Sequence, residues 1–129
     1  MPAVDTSVVV RYLTADDAAQ ARAARKLIDG GGIWLPCTVL LETEWVLRSL
    51  YGYDRRRIHA ALSAFAGLPE VEFDDPARAA RAFDWFAAGM DFADALHLAA
   101  CREGETFATF DRKLATAARK AGAGKVRVL

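Results

Sequence analysis

The spacing of apolar positions changes several times along the chain, and each change marks an element. Ala21, Ala24, Leu27 and Ile28 recur every three or four residues and predict a helix, opened by the box-like pair Thr14 and Asp17 and closed by the glycines at 30 to 32. IWLP at 33 to 36 predicts a short buried strand closed by proline, and TVLLETEWVLRSLYG a helix stopped near Gly52. Asp54 is placed to cap the next helix, which turns Ile58, Leu62 and Phe65 inward. VEF at 71 to 73 reads as a strand, and Pro76 suits the first turn of a helix carrying Ala80, Phe83 and Phe86 to Gly89. Phe92, Ala95, Leu96, Ala99 and Ala100 then predict a helix ended by Gly104, followed by a TFAT strand, a helix over DRKLATAARKAG and a strand over VRVL. The opening AVDTSVVV reads two ways. It is a β-branched strand reaching Val10, or a short strand ending at Asp5 with a helix from Thr6 or Ser7.

Strands alternating with helices predict an α/β protein whose parallel sheet is covered on both faces, with its sites at the carboxyl ends of the strands. The chain has 129 residues, 53% of them hydrophobic, enough for one core, so residues 1–129 are read as a single domain. Seventeen basic and seventeen acidic side chains leave no global field to draw the protein to nucleic acid or to an anionic membrane, so a polyanion would have to be held locally. No basic leader precedes the first apolar stretch, and no run approaches the ~20 apolar residues of a membrane span, so a cytoplasmic setting without membrane contact is expected. Cys37 and Cys101 are too few for a disulfide framework or a zinc site and read as reduced, small hydrophobes.

Several acids occupy places where surface charge is not expected. Asp5 ends the first strand in one of its two readings, Asp111 directly follows TFAT, and Asp94 lies inside a helix with Leu98 four residues on, beside the apolar stripe. Glu42 shares a helical face with Thr38, Val39, Trp45, Val46 and Ser49. Glu44, four residues before Arg48, reads as an ordinary exposed pair, and Asp91 as a helix cap. Separate caps and surface pairs would account for all of these acids. If four of them converge at the sheet edge, they repel one another and their pKa values rise unless a cation compensates. A hard divalent ion, magnesium or manganese, takes oxygen ligands, shares substrate phosphates and activates water, which fits a phosphodiester hydrolase.

The ordered set VDTSVVVRYL, VLLETEWVLRSLYG, DFADALHLAA and TFDRKLA resembles the PIN domain, and within it the VapC-like toxins of bacterial toxin–antitoxin pairs, over essentially the whole chain. The resemblance implies a three-layer α/β/α fold with a central, mainly parallel sheet of about four to five strands. It implies a magnesium- or manganese-dependent endoribonuclease, homodimeric and silenced by a cognate antitoxin protein in a hetero-oligomer. The alternatives are a housekeeping RNA-processing nuclease and an inactive binding module of the same fold. Carried over by position, the catalytic and metal-binding acids fall on Asp5, Glu42, Asp94 and Asp111. Asp91 is accessory, Thr109 matches the hydroxyl residue two places before the last acid, and Thr6 or Ser7 matches the one after the first. HAD-type phosphatases, which also place an aspartate at the end of a first strand, need a second one two residues on, where this chain has Ser7.

Arg11, Arg55, Arg56, Arg57 and Lys113 are candidates for RNA phosphate contacts, against the plainer reading of a solvated face. His97, one turn beyond Asp94, reads as a packing residue more readily than as an outer partner of substrate. Trp45, Trp85, Phe83 and Phe86 are spaced like core or dimer-interface residues.

Overall fold

A computed structural model describes all residues from 1 to 129. The chain forms two compact units, Met1–Pro76 and Ala77–Leu129.

The first unit resolves the ambiguous opening. Ala3 makes a single parallel bridge to Trp34, and Asp5 then turns the chain into α1, Thr6–Thr14, by accepting from the Ser7 amide. The β-branched run at 8 to 10 is therefore helical, because a cap at Asp5 fixes the first turn and Val9 and Val10 are buried along one face. Thr14 closes α1, donating its hydroxyl to the Val10 carbonyl, and Asp17 alone caps α2, Ala18–Asp29. Gly32 follows with φ +88°, where a Cβ would stand 2.6 Å from the Glu70 carbonyl oxygen, so only glycine lets β1, Ile33–Leu35, approach β2, Val71–Phe73. These strands pair in parallel, Ile33 beside Val71 and Leu35 beside Phe73.

Helix α3, Cys37–Ser49, opens on Pro36, whose ring offers no hydrogen bond to cap it. Asp74, just past β2, supplies the cap instead, accepting from the Cys37 amide at 3.1 Å. Asp54 caps α4, Arg55–Ala66, and Ile58, Leu62 and Phe65 are buried as expected. Val4, Val9, Ile28, Ile33, Leu35, Phe65 and Val71 form one buried cluster, with Tyr12 set against the Phe65 ring at 5.5 Å. Fully burying one such side chain contributes about 1.5–3 kcal/mol.

The second unit carries most of α5, Pro76–Ala87, then α6, Phe92–Ala99, β3, Thr106–Thr109, α7, Arg112–Ala121, and β4, Lys125–Val128. β3 and β4 pair in parallel, Thr106 beside Lys125 and Thr109 beside Val128. In α5 the inward alanines are Ala79 and Ala82, and Ala80 is exposed. Helix α6 ends one turn sooner than its apolar spacing predicts: Ala100 is an exposed C-cap, and Gly104, with φ +83°, belongs to the turn before β3. The four strands form two separate two-stranded parallel ladders rather than one row of four or five neighbours. They are only three or four residues long, and the first extended segment yields a lone bridge because Asp5 starts a helix two residues later. No helix is long and apolar enough to cross a membrane.

Candidate active site

Each unit gathers part of the expected acid set. In the first, Asp5 sits in extended backbone at the head of α1, and its Oδ1 accepts from the Ser7 amide at 3.0 Å and from Ser7 Oγ at 2.5 Å. The Ser7 hydroxyl holds the Asp5 carboxyl below its ordinary range; burial is the next largest effect and opposes it, and the backbone amides of Val8 and Ser7 add to the lowering. Asp5 is therefore an anion, with its second oxygen left for another partner. Thr6, nearly buried, donates its hydroxyl to Oε1 of Glu42 on α3 in a short hydrogen bond. Consecutive residues thus serve the two acids, Ser7 on Asp5 and Thr6 on Glu42. The resemblance left Thr6 and Ser7 as alternatives, and the structure gives each a separate task.

In the second unit Asp91 caps α6, accepting from the Asp94 amide at 3.1 Å through Oδ2. Asp94 stands half-buried in that first turn. Burial, then the negative charges of Asp91 and Asp111, push its carboxyl above the ordinary 3.8, with His97 pulling weakly the other way. Asp111 caps α7 through the Lys113 and Leu114 amides at 2.9 and 3.1 Å, and its own amide donates to Thr109 Oγ1 at 2.9 Å. Thr109 orients the turn that presents Asp111. The charges of Asp91 and Asp111 both reach Asp94, yet no three His, Cys, Asp or Glu side chains anywhere form a ready metal-holding group. The donor chemistry nevertheless fits a hard divalent ion: all are carboxylates, Asp94 carries excess negative charge around it, and magnesium binds through one or two carboxylates while keeping several waters.

The candidate phosphate contacts differ in their surroundings. Arg11 is engaged, with Nε on Gln20 at 2.7 Å, Nη1 on the Tyr51 hydroxyl at 3.2 Å and an ion pair to Asp16 at 3.3 Å. Arg55, Arg56 and Arg57 are exposed in the first turn of α4, and the Arg57 guanidinium lies 3.7 Å over the Tyr53 ring. Lys113 is exposed on α7.

Two expectations about α3 change. Trp45 is half exposed, so it is no core residue. Glu44 is buried, at 2% exposure, although its pairing with Arg48 is as expected, Nε to Oε2 at 2.9 Å. The spacing identified the partner and could not reveal that Arg48 reaches inward over a covered carboxylate. Glu44→Gln is accordingly expected to lower stability by about 1–3 kcal/mol, by weakening a charge-assisted hydrogen bond at a buried position. Activity per folded molecule should stay near wild type. Chemical denaturation together with specific activity checks both halves.

Parallel strands with carboxylates at the helix starts that follow them are compatible with metal-assisted phosphodiester chemistry. Residues 3–120 match the PIN domain family, and the chain belongs to it. The match runs through both units, and seven helices with short parallel strands are consistent with the family's three-layer α/β/α class. PIN domains are generally metal-dependent nucleases. No curated protein matches the chain.

Proposed function

We propose that this chain is a magnesium- or manganese-dependent endoribonuclease, acting in the cytoplasm as the toxin of a toxin–antitoxin pair. The observation that carries the catalytic half is the setting of Asp94, half-buried in the first turn of α6, where burial and then the charges of Asp91 and Asp111 disfavour its ionised form. A half-buried carboxylate beside like charges is stabilised in its ionised form by a cation. Asp5, Glu42, Asp94 and Asp111 are the proposed metal and catalytic residues. The ion, when bound, supplies acidified water and offsets charge developing on the phosphate. The chain's own part is positioning. Ser7 keeps Asp5 ionised, Thr6 fixes Glu42, Asp91 anchors the turn carrying Asp94, and Thr109 orients Asp111. The basic residues on exposed helix faces would hold the RNA.

The toxin half rests on the motif resemblance, and exposed Trp34, Trp45 and Leu50 give the first unit apolar surface that a second copy or an antitoxin would cover. The test is incubation of the purified, partner-free protein with total cellular RNA and mapping of the new ends. Internal cuts are expected with magnesium or manganese and few with calcium, whose looser coordination misplaces the attacking water. Cleavage of equal extent in excess chelator would contradict the metal assignment. In cells, expressing the chain alone should slow growth, and co-expressing its genomic neighbour should restore it. Undisturbed growth with soluble chain present would contradict the toxin role, and light scattering showing a fully active monomer would contradict the homodimer.

A further inference from the structure

Helix α7 buries Leu114, Ala115 and Ala118 and turns Arg112, Lys113, Thr116 and Lys120 to solvent. The exposed set follows helical spacing, 112, 116 and 120 on one row and 113 beside it, so the three cations share one face. That face lines a cleft of about 420 Å³ whose other wall is Ala88 and Gly89, in the turn after α5. Gly89 has φ +112°, a conformation suited to glycine, and with Ala88 it brings no bulk or charge to that wall. No carboxylate lines the cleft, and none of the three cations forms an ion pair. The Thr116 hydroxyl is directed back to the Arg112 carbonyl at 3.0 Å, so the charges dominate what the cleft can bind. In a chain of net charge zero, such a concentration of unpaired cations is local, and it begins at the residue after Asp111.

We propose that this α7 cleft is a subsite for the RNA phosphate backbone, carrying the strand away from the scissile position along Arg112, Lys113 and Lys120. The proposal rests on the ribonuclease reading and extends it. From Arg112 to Lys120 is ~12 Å along the helix axis, which suits successive phosphates better than one small anion. Cations facing an Ala88–Gly89 wall that has no polar side chain suit a backbone contact rather than base readout, so the cleft should add affinity and little sequence preference.

The test is fluorescence anisotropy of a labelled single-stranded RNA in excess chelator, titrated over a range of salt. Lys113→Gln/Lys120→Gln should weaken binding several-fold at low salt and make the log–log salt dependence shallower by roughly 1.4, at ~0.7 for each of two phosphates no longer neutralised. Arg22→Gln/Arg25→Gln, which removes the same charge from the exposed face of α2, should leave the slope unchanged. A cleft variant with wild-type affinity and slope, in a wild type that binds and cleaves RNA, would overturn the subsite alone. A wild type that neither binds nor cleaves RNA would overturn the ribonuclease reading and the subsite with it. An unchanged RNA slope joined to weaker inhibition by the co-expressed partner would assign the cleft to an acidic protein surface, and would also overturn the proposal.

Discussion

Asp94→Asn is expected to reduce RNA cleavage at least ~10²-fold while the metal-free protein melts at the same temperature as wild type or higher. Both halves follow from one cause. The Asp94 carboxyl is raised above 3.8 by burial and by the charges of Asp91 and Asp111, so the folded state binds its proton more tightly than the unfolded state does. The stability linked to this group is therefore fully present below its unfolded pKa and is lost as pH rises through the folded one. At neutral pH the ionised side chain opposes folding, and asparagine, of the same shape, removes that opposition. The Asp94 amide still donates to Asp91, so the helix cap survives the substitution. Melting curves across acid and neutral pH check the sign: the variant should gain on wild type as pH rises. Destabilisation of the metal-free variant by several degrees at neutral pH would instead make Asp94 a structural residue.

Phe92→Ala should cost about 3–5 kcal/mol, or roughly 10–20 °C in melting temperature. Phe92 is fully buried, with its ring 5.9 Å from Phe83 in a stacked arrangement and 5.2 Å from Phe86 edge to face. Truncation removes the transfer energy of the ring, both aromatic pairings and the packing around the cavity left behind. The residue lies between Asp91 and Asp94, so loosening it frees the first turn of α6 and cleavage should fall even where the variant remains folded. Phe92→Leu, which keeps most of the volume, should retain more of both. Calorimetry and cleavage at a temperature below both transitions measure the two effects. A destabilisation below ~1 kcal/mol would show that the ring is not enclosed as described.

Much of this molecule is legible in its sequence where a local rule decides the outcome. The 3.6-residue periodicity locates the helices, and Asp54 and Asp91 cap the ones they precede, whereas the box expected of Thr14 and Asp17 reduces to a cap by Asp17 alone. Where distant residues decide, the pattern is silent. Asp74 caps α3 from 37 residues away, and nothing in the PCTVLL stretch announces it. Glu44 and Arg48 form the expected i,i+4 pair, but which face of α3 is covered depends on its neighbours. The inward position of α5 lies one residue earlier than expected, at Ala79 instead of Ala80, because alanine does not declare a face on its own. In the candidate site, the acids and hydroxyl residues can be named from the motifs, while the division of labour between Thr6 and Ser7 depends on where α1 meets α3. The cations of α7 stand at helical spacing in the sequence, but the Ala88–Gly89 wall that makes their face one side of a cleft does not show there.

The most direct test of the acid set is the shift in melting that magnesium produces in wild type and in Asp5→Asn, Glu42→Gln, Asp94→Asn and Glu44→Gln. Binding to the native state alone adds RT ln(1 + [L]/Kd), so magnesium at ~100 times Kd should stabilise wild type by roughly 2.7 kcal/mol. That increment should shrink in the first three variants and persist in Glu44→Gln, whose carboxylate is held by Arg48. An increment of wild-type size in Asp94→Asn, or none in wild type, would contradict the assignment of these carboxylates to a metal site.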